Sequence, residues 1–175
     1  MDHRRNDGGF LGQPAWLWSL GALLAGLALG LIGALLTSAV LLVGRQPILA
    51  AYTSDAQVAA VAGSLLAMIP LFHLCDSMQC INSYLLRAYK VAVVPLLLQV
   101  LALGIVGLLG GWWLGFGPGR GGLDGLRLAI MPDSPQGAGT MWLMAMVGLG
   151  LSALLLHAWY WRTLRRTMPA ATALR

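Results

Sequence analysis

The stretch Ala15–Val43, AWLWSLGALLAGLALGLIGALLTSAVLLV, contains no charged residue. Roughly 20 consecutive apolar residues cross the hydrocarbon core of a bilayer as a helix, and this run exceeds that length. Trp16 and Trp18 stand at its start, where the amphipathic indole ring suits the headgroup level. Gly26 and Gly30 form a small-xxx-small pair that allows another helix to approach closely. The run is much longer than the 7–15-residue apolar core of a signal peptide. Arg4 and Arg5 ahead of it are therefore read as the flank of a retained span, with no cleavable leader expected.

The rest of the chain has the same character. Of its 175 residues, 58% are hydrophobic and only 10% charged, against about 25% charged in a soluble domain. Three further spans are expected, at about 56–84, 91–116 and 140–161. The fold class is thus an all-α, polytopic membrane protein of about four transmembrane helices. It divides into an N-terminal segment 1–14, a transmembrane domain 15–166 and a C-terminal tail 167–175. Gly44–Pro47 is a short connection, Pro95 lies near the start of the third span, and Trp112 and Trp113 mark its far interface. A Gly- and Pro-rich loop fills 117–139. Its segment Gly117-Pro118-Gly119-Arg120-Gly121-Gly122 lacks the Lys-Ser/Thr ending of a phosphate loop and reads as a plain turn.

Net charge is +5, from 11 Lys and Arg against 6 Asp and no Glu. The basic residues cluster at the ends of apolar runs, which argues for a membrane and against nucleic acid. Arg4, Arg5, Arg87, Lys90, Arg162, Arg165, Arg166 and Arg175 fall on one side of a four-span arrangement, and only Arg45, Arg120 and Arg127 on the other. The positive-inside rule then places both termini in the cytoplasm, in a cell (plasma or inner) membrane.

The second span is apolar only in its first half. His73, Asp76, Ser77, Gln79, Asn82 and Ser83 crowd its second half. A carboxylate within a spanning helix costs about 2.5–3.5 kcal/mol on insertion scales and should face protein or a watery cavity. At about 100° per residue, Phe72, His73, Gln79, Cys80, Ser83 and Arg87 all lie within about 60° of Asp76. Such a stripe suits a cavity lining. A carboxyl taken out of water favours its neutral form, and a cation nearby opposes this. It can therefore trade a proton for a cation. The plainer reading is an Asp paired with a polar group of a neighbouring helix.

Other chemistry finds little footing. His73, Asp76 and Cys80 share a face, but no fourth ligand stands at a recognisable spacing, so no metal site is assigned. Cys75 and Cys80 do not form a disulfide framework and read as packing residues. His157 reads as an interfacial or packing residue. No nucleophile has a placed base, so no enzyme and no cofactor are expected.

Four segments resemble one family. Ala51-Tyr52-Thr53-Ser54-Asp55 followed by Val58, Phe72-His73-Leu74-Cys75-Asp76-Ser77-Met78-Gln79, Leu86-Arg87-Ala88-Tyr89-Lys90 and Gly137-Ala138-Gly139-Thr140-Met141-Trp142 resemble, in order and spacing, the last four helices of multidrug and toxic compound extrusion (MATE) transporters. The resemblance covers about Trp16 to Arg166. It implies part of the C-terminal lobe of a twelve-helix antiporter that exports cationic or amphipathic compounds in exchange for protons or sodium ions. Asp76 matches an acidic residue lining the cation site of that lobe, and Gln79 a polar neighbour. Phe72, His73, Gln79 and Ser83 are the expected cavity lining, and Arg87 and Lys90 the cytoplasmic loop.

Three departures bear on this. Phe72 stands where the family often has Tyr, which removes an oxygen a sodium ion would use and tilts the expectation towards protons. Val91-Ala92 replace a common Asp-Thr. The N-terminal lobe and two further helices have no counterpart here. Expected partners are therefore lipid, a small cationic or amphipathic substrate, and the missing helices or further copies of the chain. The alternative function is a non-transporting four-helix membrane fragment or packing subunit.

Overall fold

The computed structural model describes residues 15–167. The expected segment 1–14, and with it Arg4 and Arg5, lies outside the described residues, as does the tail beyond Thr167. Among the described residues all regular structure is helical, in the order α1 (Ala15–Val43), α2 (Arg45–Tyr52), α3 (Ala56–Leu66), α4 (Ile69–Ala88), α5 (Val93–Gln99), a π-helical segment (Val100–Leu109), α6 (Gly110–Gly115), α7 (Asp124–Ile130) and α8 (Gln136–Thr167). Three helical stretches are long and apolar enough to span a membrane: Trp16–Val43, Val93–Gly115 and Gln136–Arg166. A fourth crossing is available if α3 and α4, bent by 42° at their junction, are taken together. The chain is a multi-pass membrane protein.

Local chemistry explains each boundary. Asp55 caps α3, its Oδ1 accepting from the backbone N–H of Gln57 at 2.7 Å and of Val58 at 3.2 Å. Such a cap satisfies donors that have no partner within the helix. The span expected at 56–84 is broken because Pro70 sits in the first turn of α4. Its missing N–H and its ring are incompatible with an uninterrupted helix running in from α3. At the other end of α4, Lys90 adopts φ 60°. Its N–H bonds to Arg87 O at 2.8 Å while Val91 N–H bonds to Leu86 O at 2.9 Å. This double closure is a Schellman cap with Lys in the position that glycine usually takes.

Two short helices were not expected from the sequence. α2 occupies part of the connection after α1, and α7 lies inside the Gly- and Pro-rich loop 117–139. Arg127 organises that loop. It is buried, pairs with Asp124 at 3.2 Å, and donates to the carbonyl and the hydroxyl of Ser134. Gln136 in turn donates to Asp124 at 2.6 Å and accepts from Arg120 at 2.9 Å.

α8 is the central element and packs on α4, the π segment and α6, while α4 also packs on α1. Leu23, Leu86, Leu156, Tyr160 and Leu164 form the buried cluster where α1, α4 and α8 meet. There the Tyr160 hydroxyl donates to Ser19 O at 3.0 Å and lies 2.9 Å from Ser19 Oγ. Close contact depends on small residues. A Cβ at Gly30 would stand 2.8 Å from Ser77 Cβ, and one at Gly26 3.1 Å from Ile81 Cγ2, so this pair sets the α1–α4 approach. Gly148 of α8 plays the same part against Ala102 and Gly107 of the π segment. Lipid tails are as apolar as leucine, so such packing rather than water exclusion holds helices together in a bilayer.

Candidate functional site

Asp76 sits on the half of α4 that faces α8 and the π segment. It lines a cavity of about 410 Å³ together with Phe72 and Gln79 of the same helix. The opposite walls are apolar: Leu103, Gly107 and Leu108 from the π segment, and Met141, Ala145 and Leu149 from α8. The lining of the π segment is explained by its backbone. Turns closed by i→i+5 bonds bring residues four and five apart onto one face. Leu103, Gly107 and Leu108 have that spacing.

The carboxylate is held on one side only. Gln79 Nε2 donates to Asp76 Oδ1 at 3.0 Å. Ser152 Oγ of α8 donates to Gln79 Oε1 at 2.8 Å. Ser152 and Gln79 are buried. The carboxylate, which only accepts, takes the NH₂ of the Gln79 amide, and this leaves Gln79 Oε1 for the Ser152 hydroxyl. The thiol of Cys80 lies 4.0 Å from the same Oδ1. Oδ2 makes no hydrogen bond to the described residues and is open to an incoming group.

The other predicted residues are placed as follows. His73 is half-buried and meets Phe72 edge-on, with centroids 6.3 Å apart, but it is not part of the cavity lining. Ser83 is buried a turn beyond Gln79, outside the lining, and its Oγ has no partner. Arg87 is exposed and lies over the Tyr84 ring at 5.4 Å. Lys90 is exposed at the cap of α4. Cys75 and Cys80 are free thiols. Among the described residues, no group of three or more His, Cys, Asp or Glu side chains is placed to hold a metal ion.

The structure adds residues that the sequence did not single out. Ser152 orients Gln79, and Trp142 stacks on Phe72 with ring centroids 6.1 Å apart and an interplanar angle of 18°. A signal for the α8 face existed: Met141, Ala145, Leu149 and Ser152 recur at helical spacing, with Gly148 beside them. His157 has a larger part than packing. The Trp161 indole N–H donates to its Nε2 at 2.8 Å, and its Nδ1 lies 3.2 Å from Asn82 Oδ1. An indole can only donate, so Nε2 is bare and the proton is on Nδ1, donated to Asn82. Asn82 Nδ2 then donates to Met78 O at 2.7 Å, which completes a neutral polar chain between α8 and α4.

Comparison with known proteins agrees with this frame. The MatE family profile matches residues 21–113. The chain is 40% identical over 96 residues to a probable multidrug resistance protein NorM of Aromatoleum aromaticum, covering 54% of the chain and 20% of that protein. It is 35% identical over 135 residues to a probable multidrug resistance protein NorM of Xylella fastidiosa, covering 77% of the chain and 25% of that protein. It is 30% identical over 134 residues to the multidrug resistance protein MdtK of Photorhabdus laumondii, covering 76% of the chain and 26% of that protein. The chain thus spans only a fifth to a quarter of the length of these relatives. No solved structure matches it. A polar α4 packed on a central α8, with a family match that runs from the first span through the third, makes this chain a member of the MatE family.

Proposed function

We propose that this chain forms part of a secondary antiporter that exports cationic or amphipathic compounds in exchange for protons, with Asp76 as the coupling carboxylate. The observation that carries the reading is the half-satisfied carboxylate. Oδ1 is anchored through Gln79 to Ser152, while Oδ2 is unpartnered in a cavity of about 410 Å³ with otherwise apolar walls. A proton needs a single oxygen. A sodium ion needs several, and Gln79 Oε1 is already engaged by Ser152 while Phe72 brings none. Phe72, Met141 and Leu149 give a soft, polarizable wall against which a lipophilic cation can lie. Proton and cation then compete for the same carboxylate, which is the exchange step of antiport. The relatives' names, as multidrug resistance proteins, support export as the direction of transport. Both termini are assigned to the cytoplasm on the basic residues, in the cell membrane.

Proteoliposomes holding the purified chain, loaded under a pH gradient and given tetraphenylphosphonium, test this reading. Proton release is expected from the wild type and is lost in Asp76→Asn. Equal release from both proteins overturns the role of Asp76. Silence from both favours a non-transporting membrane piece that needs further helices, and the same pair is then compared with those helices co-expressed.

A further inference from the structure

A second cavity, of about 470 Å³, opens at the end of the bundle where α1 finishes. Ile48, Leu49 and Tyr52 of α2, Ala62 and Leu66 of α3, and Trp142 of α8 are among its walls, which carry no charge. Its volume lies in the range of ligand pockets, roughly 300–1,000 Å³. α2 turns one face to it, at the i, i+1 and i+4 positions Ile48, Leu49 and Tyr52. One turn earlier on that face is Arg45. Its guanidinium lies over Gly63 of α3, where a Cβ would stand 2.5 Å from Nη2 and 3.0 Å from Nε. Arg45 Nε is shielded from solvent yet has no hydrogen-bond partner, and Arg45 pairs with no carboxylate among the described residues.

An unpaired cation with an orphaned donor, placed beside an apolar chamber, has the complement of an amphipathic anion. Its position narrows the class. Arg45 follows Val43, the last residue of a stretch long and apolar enough to cross a membrane, and a basic residue just past such a stretch belongs with the headgroups. The geometry points to a specific anionic-phospholipid site, with one acyl chain in the chamber and the phosphate on the Arg45 guanidinium. The terminal nitrogens of the guanidinium present the donors that a phosphate takes, and an Arg–phosphate pair is a strong, charge-assisted contact. Trp142 connects this site to the first, since it walls the lipid chamber and stacks on Phe72 of the Asp76 cavity.

The test is native mass spectrometry of the full chain, purified in mild detergent and offered palmitoyl-oleoyl phosphatidylglycerol or the phosphatidylcholine with the same chains. Retention of the anionic lipid is expected to exceed that of the zwitterionic one by about fivefold, the factor for one unit-charge contact at about 4 Å in water, which the choline cation of the latter offsets. Arg45→Gln removes the preference, Arg45→Lys keeps most of it, and Ala62→Phe, which fills the chamber, lowers retention of both lipids. Circular dichroism identical to wild type guards against misfolding of the variants. An undiminished preference in Arg45→Gln, undiminished retention in Ala62→Phe, or no preference in the wild type each overturns the assignment. Displacement of the phospholipid by equimolar oleate also overturns it, in favour of a free fatty carboxylate.

Discussion

Ser152→Ala tests how α8 acts on Asp76. The hydroxyl is fully buried and, among the described residues, bonds only to Gln79 Oε1, at 2.8 Å, with Gln79 itself 7% exposed. Interhelical hydrogen bonds in membranes are worth about 0.6 kcal/mol on average and up to about 1.7. An acceptor left buried without a donor costs about 1–3 kcal/mol. Ser152 is fully buried and no other described side chain replaces it as donor, so the loss lies towards the upper end, at about 1.5 kcal/mol. The assay is a double-mutant cycle of Ser152→Ala and Gln79→Ala, read by reversible denaturation in mixed micelles. A coupling energy of about 1 kcal/mol is expected. Proton release on cation addition should fall as well, because Gln79, no longer held by α8, positions the Asp76 carboxylate less firmly. If the two substitutions add to within about 0.3 kcal/mol, as independent sites do, the Ser152–Gln79 link does not exist in the membrane. The reasoning that ties α8 to Asp76 then fails.

Gly148→Ala should cost about 1–3 kcal/mol, because its Cβ meets backbone at 2.5 Å (Ala102 O) and 2.9 Å (Gly107 Cα) and the helices must separate. Gly33→Ala, whose Cβ meets nothing within 4 Å, is the neutral control in the same thermal unfolding series. Lys90→Gly should stabilise by about 1 kcal/mol, since glycine takes the φ 60° cap of α4 without steric strain; an unchanged or lowered midpoint would contradict the Schellman geometry. His157→Leu removes the partners of both Trp161 Nε1 and Asn82 Oδ1 and should cost about 1–3 kcal/mol. His157→Phe, of closer size, should lose as much, and a neutral result for either would show that the polar chain carries no load.

The relation between sequence and structure differs by level. The helical class and the membrane setting lie in composition and run length, because a bilayer forces backbone groups to bond within their own segment. The first span illustrates this, since nothing beyond Ala15–Val43 was needed to read it. The polar stripe around Asp76 also followed from helical periodicity alone, which orders residues about one axis. The break before Pro70 was open to reading in principle, because proline carries its own steric rule, yet the apolar run through it reads as one span.

The tertiary structure decided what faces that stripe. Whether Asp76 meets α1, the π segment or α8 depends on which surfaces approach closely, and that is set by Gly26, Gly30, Gly107 and Gly148 acting in pairs. No one-dimensional pattern encodes such pairs. The π turns at 100–109 are a choice between i→i+4 and i→i+5 bonds that differ little in local energy. Contact with α8 accompanies that choice, and with it the placing of Leu103, Gly107 and Leu108 in the cavity wall. Ser152 and Trp142 gained their roles the same way, from partners 73 and 70 residues distant in the chain. Helical periodicity alone puts a carboxylate on one face of a membrane helix. Only the packed helices decided that one of its oxygens is tethered and the other left open, because hydrogen bonds between helices exist only once their registers are fixed.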